Sequence, residues 1–195
     1  MSLAELPNVG DPAGPPLRRG EVLEALNRHG VDFVLVGGQA SQVHGAERRT
    51  FDLDICLRWT QENLDRMGEV LVELDAGLRI EGMSEPFPVP HRDAGFLETM
   101  EISTWRSTRG DIDVLRGIPA PGREVSYDEL AGRAERFLVD GQEVTVADLG
   151  DIITSKETLS RPPDLAALPE LRALRRPWPQ PGSGPAGSSS PRPSI

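Results

Sequence analysis

The stretch FVLVGGQASQVHGAERRTFDLDI, residues 33–55, carries an apolar run into two glycines and then, fourteen residues after the second, into an alternating segment with two acids, Asp52 and Asp54, separated only by Leu53. In an extended strand residues i and i+2 share a face, so both carboxylates project together while Phe51, Leu53 and Ile55 take the other side. Charges of one sign at that spacing repel, and something must compensate them. The segment GDIDVL, residues 110–115, repeats the pattern, with Asp111 and Asp113 on one face and Ile112 and Val114 on the other. A chain with two such segments is confined to folds that turn the acidic faces to water or to a cation.

Composition narrows the setting. With 195 residues and 37% hydrophobic content, the chain suffices for one globular domain with an appendage. No window approaches the roughly 18 to 20 apolar residues of a membrane span, and the N-terminus lacks the pattern of a signal peptide, so a soluble, cytoplasmic protein without a membrane partner is expected. The net charge of −10 argues against broad nucleic-acid affinity, which needs basic residues to displace counterions. Of 21 basic residues only Lys156 is a lysine. A single cysteine, Cys56, excludes an internal disulfide and reads as a small buried hydrophobe.

Periodicity predicts a loose, proline-rich arm over 1–16, a helix from about Leu17 to Gly30, a buried strand over 31–36, a short helix over 39–46 and a strand over 51–57. A long amphipathic helix follows from a Thr60 cap to about Ala76. Residues 85–95 read as a loop, 96–105 and 110–115 as strands, and Asp140-Gly141 as the turn of a hairpin over 137–147. Two helices, about 148–159 and 163–175, close a domain spanning 17–176. The tail 177–195, rich in proline, glycine and serine, is expected to be disordered.

Converging carboxylates are the ligands a hard cation such as Mg²⁺ requires. Three of them, from two strands, suffice to hold two ions roughly 4 Å apart for an in-line phosphoryl displacement. Gly37-Gly38, between a strand and a helix, allow close approach of the backbone to phosphate. The histidines carry less: His29 and His44 sit at helix ends, and His91 lies in the proline-rich loop.

This combination resembles the nucleotidyltransferases of the DNA polymerase beta superfamily, whose pattern is a Gly-Gly or Gly-Ser turn, an Asp-x-Asp strand and one more acid on a later strand. Those match Gly37-Gly38, Asp52 with Asp54, and Asp113 ahead of Asp111. The run Arg48-x-Thr50-x-Asp52-x-Asp54 and the late segment DLGDIITSKETLSRPPDLAALPEL are similar to the small bacterial branch that includes AbiE-type toxins. The similarity covers about 20–175. Where that branch has arginine-proline-lysine-aspartate, this chain has Arg161-Pro162-Pro163-Asp164, one cation fewer.

The resemblance implies an α/β (α+β) polymerase-beta-like fold, a mixed sheet flanked by helices with C-terminal helices. It implies Asp52, Asp54 and Asp113 as catalytic metal ligands, with Gly37, Gly38, Arg48, Thr50 and Lys156 holding the nucleotide. The expected cofactor is Mg²⁺, as two ions, and the expected donor is a nucleoside triphosphate. The acceptor hydroxyl, on RNA, protein or a small molecule, is left open. So is a non-catalytic member of a toxin-antitoxin pair, with a cognate antitoxin as its partner.

Overall fold

The computed structural model describes residues 14–175. The expectations for residues 1–13 of the arm and for the tail fall outside them. Sixteen elements follow in order: α1 (Arg19–Arg28), β1 (Phe33–Leu35), α2 (Gly37–Val43), β2 (Asp52–Leu57), α3 (Gln61–Glu73), β3 (Gly77–Leu78), α4 (Ala94–Leu97), β4 (Ile102–Ser107), β5 (Gly110–Leu115), β6 (Gly117–Ala120), β7 (Arg123–Ser126), α5 (Tyr127–Ala131), β8 (Glu135–Val139), β9 (Gln142–Val146), α6 (Leu149–Leu159) and α7 (Pro162–Leu174). Seven strands form one mixed sheet in the order β3-β4-β5-β2-β1-β9-β8, and β6-β7 make a separate hairpin. This is the mixed, helix-flanked α/β architecture expected from the sequence. Among the described residues no helix is long and apolar enough to cross a membrane.

The acidic segments are neighbours. β2 and β5 run parallel with Asp52 opposite Asp111 and Asp54 opposite Asp113. Alternation therefore sorts the pair into two faces. On one, Leu53 and Ile55 lie beside Ile112, Val114 and Trp105 of β4, all fully buried. Phe96 of α4 meets Trp105 edge-on at 6.2 Å, and α4 packs on α3, so these helices cover the apolar face. The opposite face carries the four aspartates and, further along β2 and β5, the buried Cys56 and Leu115. β2 is thus buried on both sides rather than half exposed. Burial pushes the Cys56 thiol up to about 12, consistent with an inert packing role.

The hairpin β8-β9 turns through Asp140 and Gly141, both with positive φ (49° and 82°), the conformation a two-residue turn between twisted strands requires. Three expectations need correction. Residues 96–105 are not one strand: the Asp93 side chain accepts the Phe96 N–H at 3.1 Å, which starts the short helix α4, and extended pairing begins only at Ile102. Thr60 occupies the N-cap of α3 without a side-chain cap bond. The short second helix begins at Gly37, so the glycine pair forms its first residues instead of a separate turn.

Gly68 shows how tightly the helical layer is packed. A Cβ placed there would lie 1.9 Å from the Arg92 carbonyl oxygen, a backbone atom just ahead of α4. Alanine favours a helix interior over glycine by about 1 kcal/mol, yet the clash forces α3 and the 92–93 segment apart. Gly68→Ala is therefore expected to lower the melting temperature, and a rise on thermal unfolding would contradict this packing.

Candidate functional site

Close approach of backbone to side chain builds the site. Gly37 has φ +62°, and a Cβ there would lie 2.0 Å from Asp54 Oδ2. At Gly38 it would lie 2.6 Å from Thr50 Oγ1. No other residue type fits either position without displacing a site side chain. The Gly38 N–H donates to Asp54 Oδ2 at 3.2 Å, and the Thr50 hydroxyl donates to Asp52 Oδ1 at 2.7 Å. The glycine pair and Thr50 thus orient the two β2 carboxylates, which the motif spacing alone did not reveal.

Asp52, Asp54 and Asp113 each bring a carboxylate oxygen within 4.8 Å of the others. Asp52 is 6% exposed, and the other two are half-buried. Asp113 Oδ1 is buried with no hydrogen-bond partner, an arrangement that is costly unless something coordinates it. Burial, and then the charges of Asp52 and Asp113, hold the Asp54 carboxyl well above the usual range. Burial and the Asp52 charge push Asp113 up to about 7. Hard oxygen donors, mutual repulsion and an orphaned oxygen together fit a divalent cation.

Asp111 lies on the same face but is already partnered. It is 2% exposed, and the Arg106 guanidinium grips both its oxygens at 2.9 Å, with Arg79 Nε 3.7 Å away. Of the two acids on β5, the structure therefore brings Asp113 to the β2 pair and ties Asp111 to arginine.

The three carboxylates open into a cavity of about 240 Å³ between β2, β5, β6 and the helices α2, α6 and α7. Gly37, Gly38, Arg48, Thr50 and Lys156 also line it, so every nucleotide-binding residue expected from the sequence is brought to one space. Lys156 Nζ lies 3.2 Å from Asp164 Oδ1, and Arg161 Nε donates to Asp164 Oδ2 at 2.6 Å. Asp164, 2% exposed at the start of α7, thereby holds two cations against the cavity wall. The Arg48 carbonyl accepts from Gln42 Nε2 at 2.9 Å, while among the described residues its guanidinium makes no hydrogen bond or ion pair. Pro163 stands at the first turn of α7 and lines the same wall.

The hairpin β6-β7 and helix α5 escaped the sequence reading, although β6 supplies Ile118 and Pro119 to the apolar side of the cavity. Pro121-Gly122, with Gly122 at φ +72°, and the reciprocal Ser126–Glu129 cap were signals of both. The histidines stay outside. His44 donates from Nε2 to the Ala147 carbonyl at 2.8 Å, and His29 is bound by Glu73 and Glu69 on the surface. His91 is exposed.

No family model and no curated protein matches the chain. Its structure is similar to a Thermotoga maritima protein, TM1012, inferred to be a nucleotidyltransferase, with a TM-score of 0.49, 12% identity, and coverage of 85% of this chain and 100% of that one. It is also similar to the antibiotic-resistance factor ANT(2'')-Ia in solution, with a TM-score of 0.47 at 13% identity over 80% and 85% of the chains. The crystal structure of ANT(2'')-Ia with adenylyl-2''-tobramycin gives 0.45 at 13% identity over 79% and 90%. These scores are too low to assign a family, and the chemistry rests on the site.

The raised carboxyls make metal binding and pH interdependent. A carboxyl whose folded pKa exceeds its unfolded one contributes stability below the ordinary carboxylate range and loses it as pH rises through about 7. Without divalent ions, melting should therefore fall between pH 5 and pH 8, less so in Asp113→Asn. Mg²⁺ should raise the melting temperature more at pH 8 than at pH 5. Equal Mg²⁺ shifts at both pH values, or a shift unchanged in Asp113→Asn, would exclude this carboxylate from the metal site.

Proposed function

We propose that the protein is a metal-dependent nucleotidyltransferase that moves a nucleoside monophosphate from a nucleoside triphosphate to an acceptor hydroxyl and releases pyrophosphate. The observation that carries this reading is the convergence of Asp52, Asp54 and Asp113, one with an unpartnered buried oxygen, at the end of a cavity that Lys156 and Arg48 also line. What supports kinship with the AbiE-type branch is that two motif runs distant in sequence, Arg48 to Asp54 and Lys156 to Asp164, wall one cavity.

Each residue has a role that follows from its place. Asp52, Asp54 and Asp113 would hold Mg²⁺, as two ions. Bound there, Mg²⁺ supplies activation of the attacking hydroxyl and neutralisation of charge on the phosphates. Thr50 fixes Asp52, and the Gly38 N–H fixes Asp54, so both carboxylates are set before substrate arrives. Lys156 and Arg48 offer positive charge to the triphosphate, Lys156 as a compact point charge aimed by Asp164. The apolar wall of Ile118, Pro119, Leu159 and Leu171 suits the flat face of a base. The acceptor oxygen bonds to the α-phosphorus, the bond from that phosphorus to the β-bridging oxygen breaks, pyrophosphate leaves, and the hydroxyl proton passes to solvent or a site carboxylate.

Where Pro163 supplies no charge, Lys156 and Arg161 remain as the two cations held by Asp164 on the cavity wall. A proline at the first turn of α7 needs no N–H partner, so the helix starts as it would with lysine.

Asp54→Asn changes charge without changing volume. It should abolish Mg²⁺-dependent pyrophosphate release and the joint stabilisation by Mg²⁺ and nucleotide, with the metal-free fold retained by circular dichroism. An undiminished rate would remove Asp54 from the chemistry. Lys156→Ala should raise KM for the triphosphate while leaving Mg²⁺ binding alone in place, as loss of a charged phosphate contact worth about 1.5–3 kcal/mol.

A further inference from the structure

The order of the sheet divides the site into two halves. The elements that would hold the donor phosphates, α2 after β1 and α6 after β9, both follow strands on one side of β2. β5, β4 and β3 lie on the other side. An in-line displacement needs the attacking oxygen opposite the leaving pyrophosphate. Under the nucleotidyl-transfer reading, on which this inference rests, the acceptor therefore approaches over β5, β4 and β3.

That half carries a cationic group with unspent donors. The Arg79 N–H donates to the Thr104 carbonyl, which extends the β3 edge and puts Arg79 in register with Thr104, the partner of Asp113. Thr104 and Arg106 share the face of Asp113 and Asp111. Asp111 already has both oxygens bound by Arg106, so the second guanidinium, Arg79, is surplus to neutralising it. Among the described residues the Arg79 side chain makes no hydrogen bond and is held only by the 3.7 Å ion pair to Asp111. It is 21% exposed, restrained in position yet open to a ligand. Arg79, Thr104 and Asp113 form one row across the extended β3 edge, β4 and β5, which places Arg79 two strands from the carboxylate nearest the acceptor half.

A guanidinium with free donors in a fixed fork matches a planar or tetrahedral oxyanion. We propose that Arg79, braced by the Arg106–Asp111 pair, is the acceptor-recognition residue, and that it selects hydroxylated acceptors bearing an anionic oxygen group, phosphate or carboxylate. A polycationic acceptor meets the wrong charge there. A merely structural Arg79 would stabilise Asp111 and leave acceptor choice untouched.

The test uses the full chain with saturating Mg²⁺ and a non-hydrolysable triphosphate analogue, which fills the donor cavity. Glycerol 3-phosphate, glycerate, uncharged glycerol and the polycation tobramycin are then titrated at roughly millimolar concentration by calorimetry. Glycerol 3-phosphate or glycerate should bind while glycerol and tobramycin do not; binding of one alone identifies the anion as phosphate or carboxylate. Arg79→Gln should weaken that binding by roughly 10- to 100-fold, with joint stabilisation by Mg²⁺ and the analogue unchanged. Arg79→Lys, which keeps the charge beside Asp111 without the fork, should fall between and serves if the glutamine variant does not fold. Binding of tobramycin alone, no binding of either anion, or equal anion affinity in wild type and variants would overturn the assignment of Arg79. Loss of the joint stabilisation in the wild type would instead overturn the nucleotidyl-transfer reading, and this inference with it.

Discussion

The repulsion among Asp52, Asp54 and Asp113 is the constraint around which the rest of the structure is arranged. Parallel pairing of β2 and β5 places Asp54 directly opposite Asp113, and burial raises the cost of ionising either. In water such carboxylates would move apart. Here the sheet prevents it, because each acid alternates with a fully buried aliphatic residue, and turning an acid away would expose Leu53, Ile55 or Ile112. The apolar face thus holds the acids together, and a divalent cation bound there would relieve the repulsion.

Around the three acids the charges are paired in a definite pattern. Asp111 is neutralised by Arg106, so that three carboxylates converge instead of four. Asp164 is shared between Lys156 and Arg161, which pins both cations at the cavity wall. Buried ion pairs of this kind contribute little net stability against apolar packing. Their effect is to fix where each charge points.

Much of this was legible in the sequence, and particular residues show why. The Asp-x-Asp segments alternate with aliphatic residues, so their faces followed from strand geometry. Asp140-Gly141 specified its turn through local φ preferences. Both signals are local, within a few residues, and local signals survive without knowledge of partners. The strand expected over 96–105 failed for the opposite reason: Phe96 and Leu97 are as apolar as strand residues, and the Asp93 cap with burial against α3 decided for a helical turn. The β6-β7 hairpin was missed because Pro121-Gly122 and the Ser126–Glu129 cap lie in a stretch without sustained periodicity.

By itself the sequence determined the acidic faces, the glycine pair after β1, the β8-β9 turn and the apolar stripes of the long helices, because each depends on the period of side-chain direction or on backbone freedom at one position. Only the tertiary structure decided which acids meet. Register between β2 and β5, strands separated by more than fifty residues, set Asp113 with the β2 pair and gave Asp111 to Arg106. The same is true of Gly37 and Gly38, which accommodate Asp54 and Thr50, and of Arg79, left with free donors beside Asp111. Proximity across such distances comes from packing a shared core, and no spacing along the chain records it.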